Sequence, residues 1–121
     1  MRSTIWPTIF PTSCISVRKN FFKIFLKNIY KNNFVNLEVD ARLVIFSKFY
    51  MNEYNILNSK LTYYNFDPNG ITAKIRKFSK KWWLRRSEAF SYLKNVKKMK
   101  DEPFNLSFDF MITKFVVFFI N

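Results

Sequence analysis

The residues best placed to do chemistry lie in one block, TAKIRKFSKKWWLRRSEAFSYLKNVKKMK, at positions 72–100. It holds eleven Lys/Arg and one acid, Glu88, so it carries +10 of the chain's formal net charge of +13. The other 92 residues hold ten basic and seven acidic residues, or +3. Phe78, Trp82, Trp83, Phe90 and Tyr92 are set among the cations. Cations displace counterions from phosphates, and flat aromatic faces stack on unpaired bases. The chemistry implied is non-covalent recognition of a polyanion, with RNA the favoured class.

Two parts of the block differ. Lys77, Lys80, Lys81, Arg85 and Arg86 bracket the Trp82-Trp83 pair, and Lys74 and Arg76 precede it on an alternating stretch. An exposed Trp beside Arg can stack on a base or on the guanidinium; the opposing reading makes both tryptophans core anchors. Lys94, Lys97, Lys98 and Lys100 fit non-specific phosphate contacts or a solvated helix face. The expected RNA-binding set is Lys74, Arg76, Lys77, Lys80, Lys81, Trp82, Trp83, Arg85, Arg86, Lys94, Lys97 and Lys98.

Other chemistries find little support. With no His there is no Ser-His-Asp triad, Cys-His pair or His metal site. The single cysteine, Cys14, makes no internal disulfide or multi-Cys zinc site. The single glycine, Gly70, cannot build a phosphate-cradling loop. The eight carboxylates form no metal or glycosidase-like motif, and a catalytic pair would have to meet in three dimensions. No catalytic residue, cofactor, metal or small-molecule substrate is expected.

The elements that must position the block read as a small α+β domain at 18–121 behind an N-terminal arm at 1–17. The arm contains Pro7 and Pro11, so it should be extended; an acid-free start of this kind also fits a transit peptide. Residues 18–31 fit an amphipathic helix, with Lys19, Lys23, Lys27 and Lys31 mainly opposite Phe21, Phe22, Phe25, Leu26 and Ile29. Alternation of Val39, Ala41, Leu43 and Ile45 predicts a strand over 39–46. Residues 61–76 read as a β-hairpin turning at Asp67-Pro68-Asn69-Gly70. Residues 87–100 fit a helix capped by Ser87, with Glu88 at its positive start and Pro103 as a stop. Residues 104–120 predict the clearest strand, from the alternation of Phe104, Leu106, Phe108, Phe110 and Ile112. No window is long and apolar enough to span a bilayer, so the chain is not expected to be transmembrane. Exposed strands this rich in Phe call for a covering partner.

The segment Asp67-Pro68-Asn69-Gly70-Ile71, followed by Ile75, Lys77, Trp83 and Leu84, resembles the N-terminal segment of the third small-subunit ribosomal protein family. That family carries a Pro-Asn-Gly-Ile-like turn, a basic-apolar strand and a Trp-Phe-like pair. The resemblance spans about 18 residues. The family's Arg and Gly after the turn stand here as Thr72, Ala73 and Lys74, and the Gly-x-x-Gly loop of its KH domain is absent. The resemblance implies a ribosomal protein with rRNA as ligand.

Abundant Phe (16) and scarce Gly (1) and His (0) fit an AT-rich coding sequence, as in an organelle. The expectation is therefore a structural rRNA-binding component of a mitochondrial or plastid ribosome, touching rRNA and neighbouring ribosomal proteins. The competing expectations are an accessory subunit of an organellar membrane complex and a reading frame shaped by AT drift alone.

Overall fold

The computed structural model describes residues 14–30, 32–52, 55–57, 59, 63, 68 and 75–120. Among them there is no strand, so the α+β expectation is corrected to an all-helical one. Four helices run in order: α1 (Lys19–Lys27), α2 (Val39–Phe46), α3 (Lys80–Lys98) and α4 (Phe108–Ile120). A π-helical turn, Ser47–Met51, extends α2.

Helix α1 is shorter than the 18–31 expected and follows its amphipathic pattern in part: Phe25 is buried and Lys19, Lys23 and Lys27 face solvent, but Phe22 and Leu26 are exposed as well. The expected strand at 39–46 is instead α2. Six consecutive residues, Ala41 to Phe46, are buried, so this helix has no polar face to give it a helical period. A short apolar run of this kind reads as strand or helix alike.

The helix expected at 87–100 starts seven residues earlier. Ser79, not Ser87, is the N-cap, its hydroxyl accepting from the Trp82 backbone N–H at 3.2 Å. Ser87 is buried in mid-helix. The other end closes as a Schellman motif, with Glu102 N–H on the Lys97 carbonyl at 3.0 Å and Asp101 N–H on that of Lys98 at 3.2 Å. Asp101 takes the left-handed position, at φ 53°, that glycine usually fills. The strand expected over 104–120 is α4 from Phe108 onward, capped by the Ser107 hydroxyl accepting from Phe110 N–H at 3.2 Å.

Phe25, Phe34, Leu37, Ile45, Phe46, Ala89, Tyr92 and Val96 form the core between α1, α2 and α3. The connection between α1 and α2 is held from two sides. Arg42 is buried and donates to the carbonyls of Leu37 at 2.9 Å, Ile29 at 3.0 Å and Phe34. Glu88 accepts from the backbone N–H groups of Asn36 at 2.7 Å and Leu37 at 3.0 Å. Glu88 therefore satisfies a loop, rather than starting a helix as the sequence implied. One cation takes the loop's carbonyls and one carboxylate takes its amides, so neither set is left bare in the interior.

The hairpin expected at 61–76 lies outside the described residues except for Tyr63, Pro68, Ile75 and Arg76, none of which is in a strand. The arm at 1–17 lies outside them through residue 13.

Candidate nucleic-acid interface

The fold divides the basic block into cations that hold the protein together and cations that face outward. Arg85 pairs with Glu38, just before α2, at 2.6 Å. Arg86 pairs with Asp109 of α4, donates to the Thr113 hydroxyl at 3.2 Å and lies 5.2 Å over the Trp82 ring. Lys97 reaches the Pro103 carbonyl at 3.4 Å, and Lys100 pairs with Glu102 at 2.7 Å. These four are half-buried. Arg85 and Arg86, expected at phosphate, thus have partners far along the chain, and Lys97 has one in the loop that follows α3. Arg76, Lys77, Lys80, Lys81, Lys94 and Lys98 are exposed. Lys74 lies outside the described residues.

Trp82 and Trp83 are both half-buried and pack edge to face, with ring centroids 4.7 Å apart. Neither is a core anchor, and Arg86 already covers part of Trp82. The solvent-facing ring is Phe78, 62% exposed, with centroids 5.2 Å from Trp82 and 6.1 Å from Trp83. Its backbone is left-handed, φ 65°, which a bulky residue adopts only at a cost of about 1–2 kcal/mol. Lys77 sits 5.2 Å over this ring. The cluster stands at the N-terminus of α3, whose first turn contains Lys80 and Lys81 and no acid. Helix dipole and side chains there carry the same positive sign, so an anion is attracted by both.

Helical geometry extends the cluster. Lys80 and Lys98 are five turns apart on one side of α3, about 27 Å along its axis, with Lys94 within about 40° of them. Ser87 and Ser91 occupy that side between them. Lys114 of α4 fills the gap, donating to the Ser87 hydroxyl at 3.2 Å and the Ser91 hydroxyl at 3.4 Å. Lys80, Lys114, Lys94 and Lys98 thus form one cationic line drawn from two helices. Lys114 fell in an expected strand, and nothing in its local sequence signals this role. Phe78 was legible as an aromatic among cations, but not as the exposed member of its cluster.

Among the described residues no group of three or more Cys, Asp or Glu is placed to hold a metal ion. No described helix is long and apolar enough to cross a membrane.

No protein-family model, curated protein or solved structure matches the chain. Of the residues that carry the ribosomal resemblance, Trp83 and Leu84 lie in the first turns of α3, while Asp67, Asn69, Gly70 and Ile71 fall outside the described residues.

Proposed function

We propose that the chain is a structural RNA-binding protein, an rRNA-binding component of an organellar ribosome that also touches neighbouring ribosomal proteins. The observation that carries this reading is the exposed Phe78 ring beside half-buried Trp82 and Trp83, with Lys77 over it and solvent-facing Arg76, Lys80 and Lys81 close by in the chain. A ring open to a base beside cations open to phosphates is the combination that binds single-stranded segments without base-specific hydrogen bonds. The line from Lys80 to Lys98 supplies further phosphate contacts. The AT-biased composition supports the organellar setting.

Salt-dependent RNA binding tests the reading. Replacing Arg76, Lys77, Lys80 and Lys81 with Gln removes four cations, and at about 0.7 per phosphate the slope of log K against log salt should fall by about 3. An unchanged slope would overturn the assignment. In cells the chain should co-sediment with ribosomal particles and leave them at high salt.

A further inference from the structure

Helix α4 offers a second surface that RNA binding does not use. Its inner side packs on α3 through the buried Thr113 and half-buried Phe110. Its outer side is formed by Phe108, Met111, Ile112, Phe115, Phe118 and Phe119, all exposed, with Phe118 at 79% and Phe108 at 76%. At 100° per residue these six occupy an arc about 120° wide, the apolar stripe with which a surface helix ordinarily faces a core. No charged residue interrupts it. Here the stripe faces out, and the helix is apolar nearly all round.

We infer that the outer face of α4 lies in the interfacial layer of an anionic lipid bilayer. A helix of thirteen residues is about 20 Å long, which is too short to span but suited to lying in the interface with its rings among the acyl chains. The charge fits this occupant. Lys114 borders the stripe, about 40° from Phe118 around the helix, and belongs to the cationic line of α3, so cations edge one side of the apolar face, while Asp109 on the other side is paired with Arg86. The whole chain is at +13 and is drawn to anionic headgroups. A second copy fits less well. Two chains at +13 repel, and six side chains fall short of the roughly 20–30 residues a side of a standard interface.

The test uses the full chain and vesicles of phosphatidylcholine alone or mixed with phosphatidylglycerol, read by co-sedimentation. The chain should partition onto the mixed vesicles and retain part of that binding at high salt. Phe115→Ser/Phe118→Ser/Phe119→Ser should lower partitioning by more than about tenfold, from lost apolar burial, with helical circular dichroism unchanged. Should that variant lose helix, Phe118→Asp at the most exposed position should show the same loss. Equal partitioning of wild type and variants would overturn the inference, as would complete release of the wild type by salt. A wild-type dimer in solution that the variant turns into a monomer would also overturn it, since a second copy would then own the face. The RNA salt slope should be the same in wild type and variant, so failure of the RNA reading leaves the vesicle result standing.

Discussion

Arg86 gives the sharpest test of how the basic block is divided. Sequence places it among the RNA-binding cations; the fold places it between α3 and α4, with its side chain 14% exposed. Replacement by Met keeps most of the aliphatic stem and removes the charge. The pair with half-exposed Asp109 is screened and contributes about 0.5 kcal/mol. The charge-assisted bond to the buried Thr113 hydroxyl is worth about 1 kcal/mol net, since Thr113 keeps its own bond to the Asp109 carbonyl at 2.8 Å. Stacking over Trp82 and Phe90, at 5.2 and 5.8 Å, adds about 0.5 kcal/mol each. Arg86→Met should therefore destabilise by about 2.5 kcal/mol. An unfolding entropy near 2.1 cal/mol/K per residue over 121 residues gives about 0.25 kcal/mol/K, so Tm should fall by about 10 °C. Thermal unfolding followed by circular dichroism reads this directly. The same variant should leave the RNA salt slope unchanged. A Tm shift under about 2 °C with the slope reduced by about 0.7 would refute the reasoning, because Arg86 would then be facing phosphate.

Four further outcomes follow from particular residues. Arg42→Leu strips the partners from the Leu37, Ile29 and Phe34 carbonyls and should cost about 3–5 kcal/mol by denaturant unfolding. Asp101→Gly relaxes the left-handed C-terminal position of α3 and removes a negative charge from the helix's negative end, so unfolding should show a gain of about 0.5–1 kcal/mol. Phe78→Gly relieves the same kind of backbone strain while losing the ring contacts with both tryptophans; stability should stay within about 1 kcal/mol while RNA affinity falls about tenfold. Burial holds the Tyr92 phenol well above its ordinary value near 10, with nearby Arg42 opposing and Tyr30 reinforcing the shift. Below that value both states keep the proton; above it only the unfolded state loses it, so stability falls as pH rises past about 10. Tyr92→Phe should flatten this alkaline limb, read by unfolding across pH.

What could be read from sequence depended on whether a helix has one polar face. Helix α1 does, and its four-residue lysine spacing was enough. Helix α3 was found only from Ser87 on, because its first half is Lys, Arg and Trp with no repeating apolar position; its true cap, Ser79, sits beside a left-handed Phe78 that no pattern announces. Helices α2 and α4 read as strands in the sequence for a shared reason. Their apolar residues go all round, so neither a period of 3.6 nor one of 2 is imposed by burial. A composition rich in Phe, Val and Ile then tips the balance toward strand, since intrinsic propensity is a weak prior that packing overrides. For the site, the exposed lysines were legible, but the fates of Arg85 and Arg86 were not. Their partners, Glu38 and Asp109, lie 47 and 23 residues away.

The division of the block also bears on what composition alone can explain. AT drift raises the number of lysines without regard to where acids fall. In the folded chain Glu38 faces Arg85, Asp109 faces Arg86, Glu102 faces Lys100, and Glu88 is taken up by loop amides. These four acids thus meet internal partners, two of them arginines. The cations left facing outward, at 76, 77, 80, 81, 94 and 98, form no ion pair with a carboxylate among the described residues. Charges of one sign gathered at the start and along one side of α3 repel each other, at a cost of a few tenths of a kcal/mol per close pair. Two of them crowd the first turn, against the helix dipole. Drift alone gives no reason to keep that arrangement together with a strained, exposed Phe78. The proposed polyanion would, because phosphates would relieve the like-charge repulsion and a base would give the exposed ring a stacking partner.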